Sequence, residues 1–147
     1  MAKYLPPGYR VRPSRRIRDA IRSDDNCYRE VIPDLLVTDP EGRTVVLDVK
    51  YKDYGGNKVS TSGIFQLTFY ALHHHDLTSG DIHRSVIVHP RYFARQHGTE
   101  TRIEVFPREP FRGFIHVRNL SVEQVLEGVR RRDVEGLRET ALRLVRV

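Results

Sequence analysis

Between residues 44 and 50 the chain runs Thr-Val-Val-Leu-Asp-Val-Lys, and a two-residue alternation puts Val45, Leu47 and Val49 on one side and Val46, Asp48 and Lys50 on the other. That is a strand. A second apolar run over 27–38 precedes it, and Asp39-Pro40-Glu41-Gly42 between them carries turn residues in type I order, which predicts a β-hairpin. Residues 51–61 are a polar, glycine-containing loop. The period then changes to that of a helix over 63–74, with Ile64, Leu67, Ala71 and Leu72 on one side. An apolar strand follows at 85–89, then strands at 101–106 and 113–118 and arginine-rich helices at 121–131 and 133–145. Upstream, 6–13 reads as extended. Residues 14–22 read as a short helix with Ser14 as N-cap, Ile17, Ala20 and Ile21 on its dry side and arginines on its wet side. The order of elements predicts an α/β fold, a mixed central sheet flanked by helices, with no linker or repeat dividing residues 1–147.

Charge refines the partner. The net charge is +6, distributed as +4 over residues 1–30, zero over 31–117 and +2 over 118–147. Arginine-rich ends suit a polyanion, because guanidinium groups displace condensed counterions and grip phosphate oxygens in pairs. A solvated helix face is the plain alternative. One cysteine, Cys27, excludes an internal disulfide, and its apolar neighbours suggest a buried, inert thiol. No apolar run approaches the ~20 residues of a membrane-spanning helix. The opening MAKYLPPGYR lacks the apolar stretch of a secretory signal, so a reducing, cytoplasmic setting is expected.

The hairpin holds the candidate chemistry. Asp34 follows Pro33 at the start of the run Leu35-Leu36-Val37, so two carboxylates, Asp34 and Asp48, sit on elements that are otherwise apolar, with Lys50 on the face of Asp48. Carboxylates that converge at a strand end can hold Mg²⁺, a hard cation with oxygen ligands. Whether they converge depends on register. A turn confined to 39–42 sets Asp34 opposite Leu47, on the wrong face. A five-residue connection, 39–43, or a bulge sets 34 opposite 48 and brings both acids to one face. Isolated buried ion pairs add little net stability, so a plain core has scant reason to keep one here.

Pro33-Asp34, followed fourteen positions later by Asp48-Val49-Lys50, resembles the motif of the PD-(D/E)XK nuclease superfamily. Gln66 and Tyr70, four apart on the following helix, look like the Gln-x-x-x-Tyr pair of RecB-type nucleases. The wider run IPDLLVTD, VVLDVKYKD, FQLTFYALHH and SVIVHP, over roughly residues 30–90, resembles the nuclease portion of McrC-type subunits of modification-dependent restriction systems. The resemblance implies a restriction-endonuclease-like mixed sheet and Mg²⁺- or Mn²⁺-dependent cleavage of DNA. It makes Asp34 and Asp48 metal ligands with the Val49 carbonyl, Lys50 the catalytic lysine, and Gln66 and Tyr70 supporting or nucleic-acid-binding residues. Family members often add an acid or histidine from the first helix. Asp19 and Glu30 are the candidates here, Glu30 favoured because it shares the face of Asp34 if strand 27–38 is continuous.

Other features weigh less. Lys52 and Lys58 border the loop after the lysine strand, where phosphate contact and solvent exposure are equally open. Arg15 and Arg16 on the first helix, with the C-terminal helices, are the expected grip on the nucleic-acid backbone. Adjacent helical positions point about 100° apart, which argues against zinc at His73-His74-His75. Tyr4, Tyr9 and Tyr54 could stack on bases. No phosphate-binding loop of the G-x-x-x-x-G-K-[ST] kind occurs, so a motor or specificity subunit would be a separate chain. A homodimer is also open. The alternatives are a structure-specific nuclease such as a Holliday-junction resolvase, and a non-catalytic nucleic-acid-binding module of the same fold.

Overall fold

The computed structural model describes residues 1–13, 17–23, 26–52, 54, 58–74, 82–91, 100–106, 108 and 112–147, with side chains for all of these except 17–23 and 26–31. After a 3-10 turn at Ala2–Tyr4 come β1 (Arg10–Pro13), β2 (Ile17–Ser23), β3 (Asn26–Val31), β4 (Leu35–Thr38) and β5 (Thr44–Val49). Helix α1 (Thr61–His74) then leads to β6 (His83–Arg91), β7 (Thr101–Val105), β8 (Gly113–Ser121), α2 (Val122–Arg131) and α3 (Val134–Val145). Six strands form one sheet in the order β1-β4-β5-β6-β8-β7. Its centre is parallel, β5 with β6 and β6 with β8, and the outer pairings are antiparallel.

A parallel centre must be covered on both faces. On one face Val37, Val45, Leu47, Val86 and Val88 pack against Ala141, Leu144 and Val145 of α3. On the other, Val46, Ile87, Ile115 and Val117 pack against Leu67, Tyr70 and Ala71 of α1. The mixed α/β sheet flanked by helices is therefore the architecture the sequence led us to expect, a restriction-endonuclease-like arrangement. The helices are capped by the residues that usually cap helices: Ser60 Oγ accepts from the Gly63 N–H at 3.2 Å, Ser121 Oγ from Gln124 at 3.3 Å and Asp133 Oδ1 from Gly136 at 2.9 Å.

Two expectations fail at the N-terminal end. Residues 17–23 are a strand, not part of a helix over 14–22. They pair antiparallel with β3 in a separate two-stranded sheet, Ile17 opposite Val31 and Ser23 opposite Asn26. A nine-residue helix is marginal by itself, and an antiparallel partner close in sequence offers Ile17 and Ile21 the alternative that β-branched residues favour. Nor is 27–38 one strand: β3 ends at Val31 and β4 begins at Leu35. Pro33, lacking an amide proton, cannot continue the ladder between them. Arg15 and Arg16 lie outside the described residues, as do the side chains of Asp19, Cys27 and Glu30.

Candidate active site

The register of the β4–β5 hairpin decides the site. Thr38 pairs with Thr44 and Leu35 with Leu47, so the connection is residues 39–43, five residues long. It is closed at both ends: the Asp39 N–H donates to the Arg43 carbonyl at 3.0 Å, and the Arg43 N–H and Nε donate to the Asp39 carboxylate at 2.9 and 2.6 Å. Gly42 sits inside it with φ of +87°, a conformation favourable only to glycine. Continuing the ladder by one residue sets Asp34 opposite Asp48. Leu36 and Val46 belong to the core under α1, which places Asp34, Asp48 and Lys50, two residues apart along their strands, on that same face.

At this end of the hairpin Pro33 would stand opposite Val49. It has no amide proton to give the Val49 carbonyl, so the ladder cannot close there. The Val49 N–H donates to the carboxylate of Asp34, at 2.7 Å to Oδ2. The Pro-Asp dipeptide thus stops the ladder and supplies a carboxylate where it stops. Asp34 is exposed, whereas Asp48 is buried at 5%. Lys50 Nζ lies 2.6 Å from Asp48 Oδ2. The Lys50 ammonium is thus the charged partner of a carboxylate oxygen that is otherwise enclosed by the protein. Burial pushes the Asp48 carboxyl above its usual value, and the negative charge of Asp34 adds to this, with Lys50 offsetting only part. For Lys50 the balance runs the other way. Partial burial works against its charge, but Asp48, then Tyr54 and Asp34, outweigh that and raise it. Burial dominates at the more enclosed partner and attraction at the more open one.

Gln66 and Tyr70 are joined on α1, Gln66 Nε2 donating to the Tyr70 hydroxyl at 2.8 Å. Tyr70 is buried against the face that carries Asp48, while Gln66 is exposed. Lys52 and Lys58 are exposed. Two site expectations change. Glu30 does not extend the line of Asp34, because it belongs to β3 in the other sheet. Helix α3 covers the face opposite the carboxylates, so its arginines do not flank them; Arg143 pairs with Glu100 and donates to the Asn119 carbonyl. His73 and His74 meet edge to face at 5.0 Å, and burial, with His73 beside it, lowers the His74 pKa. His75 lies outside the described residues. Among the described residues no three His, Cys, Asp or Glu side chains gather as a metal cluster.

Sequence reasoning missed His89 and Asn119. The parallel register pairs Val49 with Val88, so Lys50 stands beside His89, and His89 is paired with Asn119 on β8. Lys50, His89 and Asn119 therefore form a polar row across the sheet, next to the row of Asp34 and Asp48. His89 and Asn119 are buried at 4% and 8%. The Tyr54 N–H donates to His89 Nδ1 at 3.3 Å and the two rings meet edge to face at 5.7 Å, which ties the loop after Lys50 to β6. A polar residue ending the otherwise apolar run Val86-Ile87-Val88 was the available signal.

No protein-family model and no curated protein matches the chain. Among solved structures it is similar to a chain in a half-complex from a tetradecameric assembly of Thermococcus gammatolerans McrB AAA+ hexamers with bound McrC, with a TM-score of 0.49 and 20% identity. The likeness covers 78% of this chain and 24% of that one.

Proposed function

We propose that the chain is a metal-dependent nuclease that hydrolyses phosphodiester bonds in nucleic acid, DNA above all. The observation that carries this reading is the hairpin register, which sets Asp34 beside Asp48 and puts Lys50 on the same face. The donor set fits Mg²⁺ or Mn²⁺. Asp48 offers a buried carboxylate held by the Lys50 ammonium, Asp34 offers a second carboxylate, and Pro33 denies the Val49 carbonyl its ladder donor. Hard divalent ions take such oxygens and complete their shells with water and phosphate, so a third acid is not required. The ion would polarise the scissile phosphate and make its bound water a stronger nucleophile.

Asp34 and Asp48 would hold the ion, and Asp48 in particular would surrender to it the charge that burial makes unfavourable. Lys50, released from Asp48, would donate to a non-bridging phosphate oxygen or to the attacking water as negative charge builds. The water oxygen gives up a proton to solvent and bonds to phosphorus as the P–O ester bond breaks, and the departing oxygen takes a proton from solvent. His89 and Tyr54 would hold the loop after Lys50 and so limit where its ammonium can point. Gln66, exposed and braced by Tyr70, would contact the substrate.

The test is cleavage of junction, duplex and single-stranded DNA and of RNA with Mn²⁺ or Mg²⁺, comparing wild type with Lys50→Ala. The variant should lose about 100-fold or more in rate while still binding metal. Absence of cleavage on every substrate, or cleavage indifferent to Lys50→Ala, would overturn the proposal.

A further inference from the structure

Helix α2 presents an apolar stripe to solvent. None of its residues is buried, and Val122, Leu126 and Val129, at i, i+4 and i+7, are 39%, 64% and 51% exposed. Packing against the rest of the protein uses another side of the helix. A Cβ on Gly128 would lie 3.2 Å from Leu137 of α3, so Gly128 is the point of close approach, roughly a third of a turn from the stripe. Among the described residues no side chain buries the stripe.

Polarity along its flank identifies the occupant. Glu123 lies in the first turn of α2, Glu127 at its middle, and Arg130 and Arg131 at its C-terminal end. By helical angle Glu123 and Arg130 lie on the same edge of the stripe, about 80–100° from Val122. A uniformly charged partner, nucleic acid or a lipid surface included, would meet like charge at one end. A parallel copy would set glutamate against glutamate. A second copy related by a two-fold axis through Leu126 meets neither problem: the stripes face each other antiparallel, and each Glu123 edge lies against the other copy's Arg130. Arg130 now pairs with Glu127, at 2.9 and 2.8 Å, and its exposed guanidinium leaves room for a second carboxylate.

We infer that α2 is a self-association surface, through which two copies of this chain pack Val122, Leu126 and Val129 antiparallel across a two-fold axis, with Glu123 of each copy opposite Arg130 of the other. The contact is independent of the nuclease reading, and so is its test. Sedimentation velocity of the full chain from about 1 µM to about 0.5 mM should show a mass rising from 17.1 kDa toward twice that value. Leu126→Glu, at an exposed position, should leave circular dichroism and Tm unchanged and weaken association by about 30-fold or more. Glu123→Arg and Arg130→Glu should each weaken it by up to about fivefold, and the double reversal should restore it. A monomer at every concentration, or a dimer indifferent to Leu126→Glu, would overturn the surface. A double reversal no tighter than either single change would overturn the antiparallel register.

Discussion

Replacing Asp48 by asparagine keeps its shape and removes its charge, and should do two opposite things to stability. Without metal the variant should be the more stable protein. Burial and the neighbouring Asp34 penalise the ionised carboxylate, and Lys50, partly exposed, can turn to water once its partner is neutral. Relief of that penalty should amount to about 1 kcal/mol, the range of stabilising changes at strained functional positions. For a chain of this length each kcal/mol moves Tm by about 2–4 °C.

With metal the order should invert. A ligand at about 100 times its Kd adds about 2.7 kcal/mol, or about 5–11 °C, to wild type, and Asp34→Asn and Asp48→Asn should lose most of that gain. The sign with pH follows from the direction of the Asp48 shift. The folded carboxyl holds its proton above the ordinary 3.8, so metal-free wild type should lose stability as pH rises from 3.8 through the raised value, then stay level. Asp48→Asn should lack that segment. Scanning fluorimetry with and without Mn²⁺, from pH 3.5 to about 8, reads all three effects. A metal-induced rise in Tm equal in wild type and both asparagine variants would refute the assignment of these acids as ligands, and a metal-free Asp48→Asn less stable than wild type would refute the electrostatic argument.

Two further outcomes probe the scaffold. Burial, helped by Arg118, Arg102 and Arg84 and opposed by Glu100, lowers His116 from 6.5 to about 4. The unfolded chain thus takes up this proton first, and wild type should lose stability as pH falls from 6.5 toward 4; His116→Gln should flatten that part of the Tm profile, and an unchanged slope would remove His116 as its source. Gly113→Ala would place a Cβ 1.9 Å from the buried His83 ring and should cost about 1–3 kcal/mol by denaturant melting, a loss that His83→Ala should partly relieve in the double variant. Wild-type stability in Gly113→Ala would contradict the close packing of these strands.

Much of the site was legible because it is written in short-range periodicity. Alternation along Thr44–Val49 put Asp48 and Lys50 on one face without knowledge of any neighbour, and helical spacing put Gln66 and Tyr70 on one face, where they hydrogen-bond. The hairpin showed both the strength and the end of this reasoning. Turn chemistry pointed to residues 39–42, yet the side chain and backbone of Arg43 close on Asp39 and make the connection five residues long. Over 17–23 local pattern misled, since a helix and a strand both accommodate Ile17 and Ile21 and only pairing with β3 selects between them.

What this sequence determined by itself is therefore what depends on residues within a few positions of each other: the faces of β5 and α1, and the presence of two acids and a lysine near one hairpin. Tertiary structure decided what depends on strands far apart in the chain. It set Asp34 beside Asp48, placed His89 and Asn119 in a row with Lys50, sent α3 to the opposite face and left the stripe of α2 open. The physical reason is the two-residue period of a strand. A shift of one residue in register exchanges the faces, and local propensity does not distinguish one register from the next.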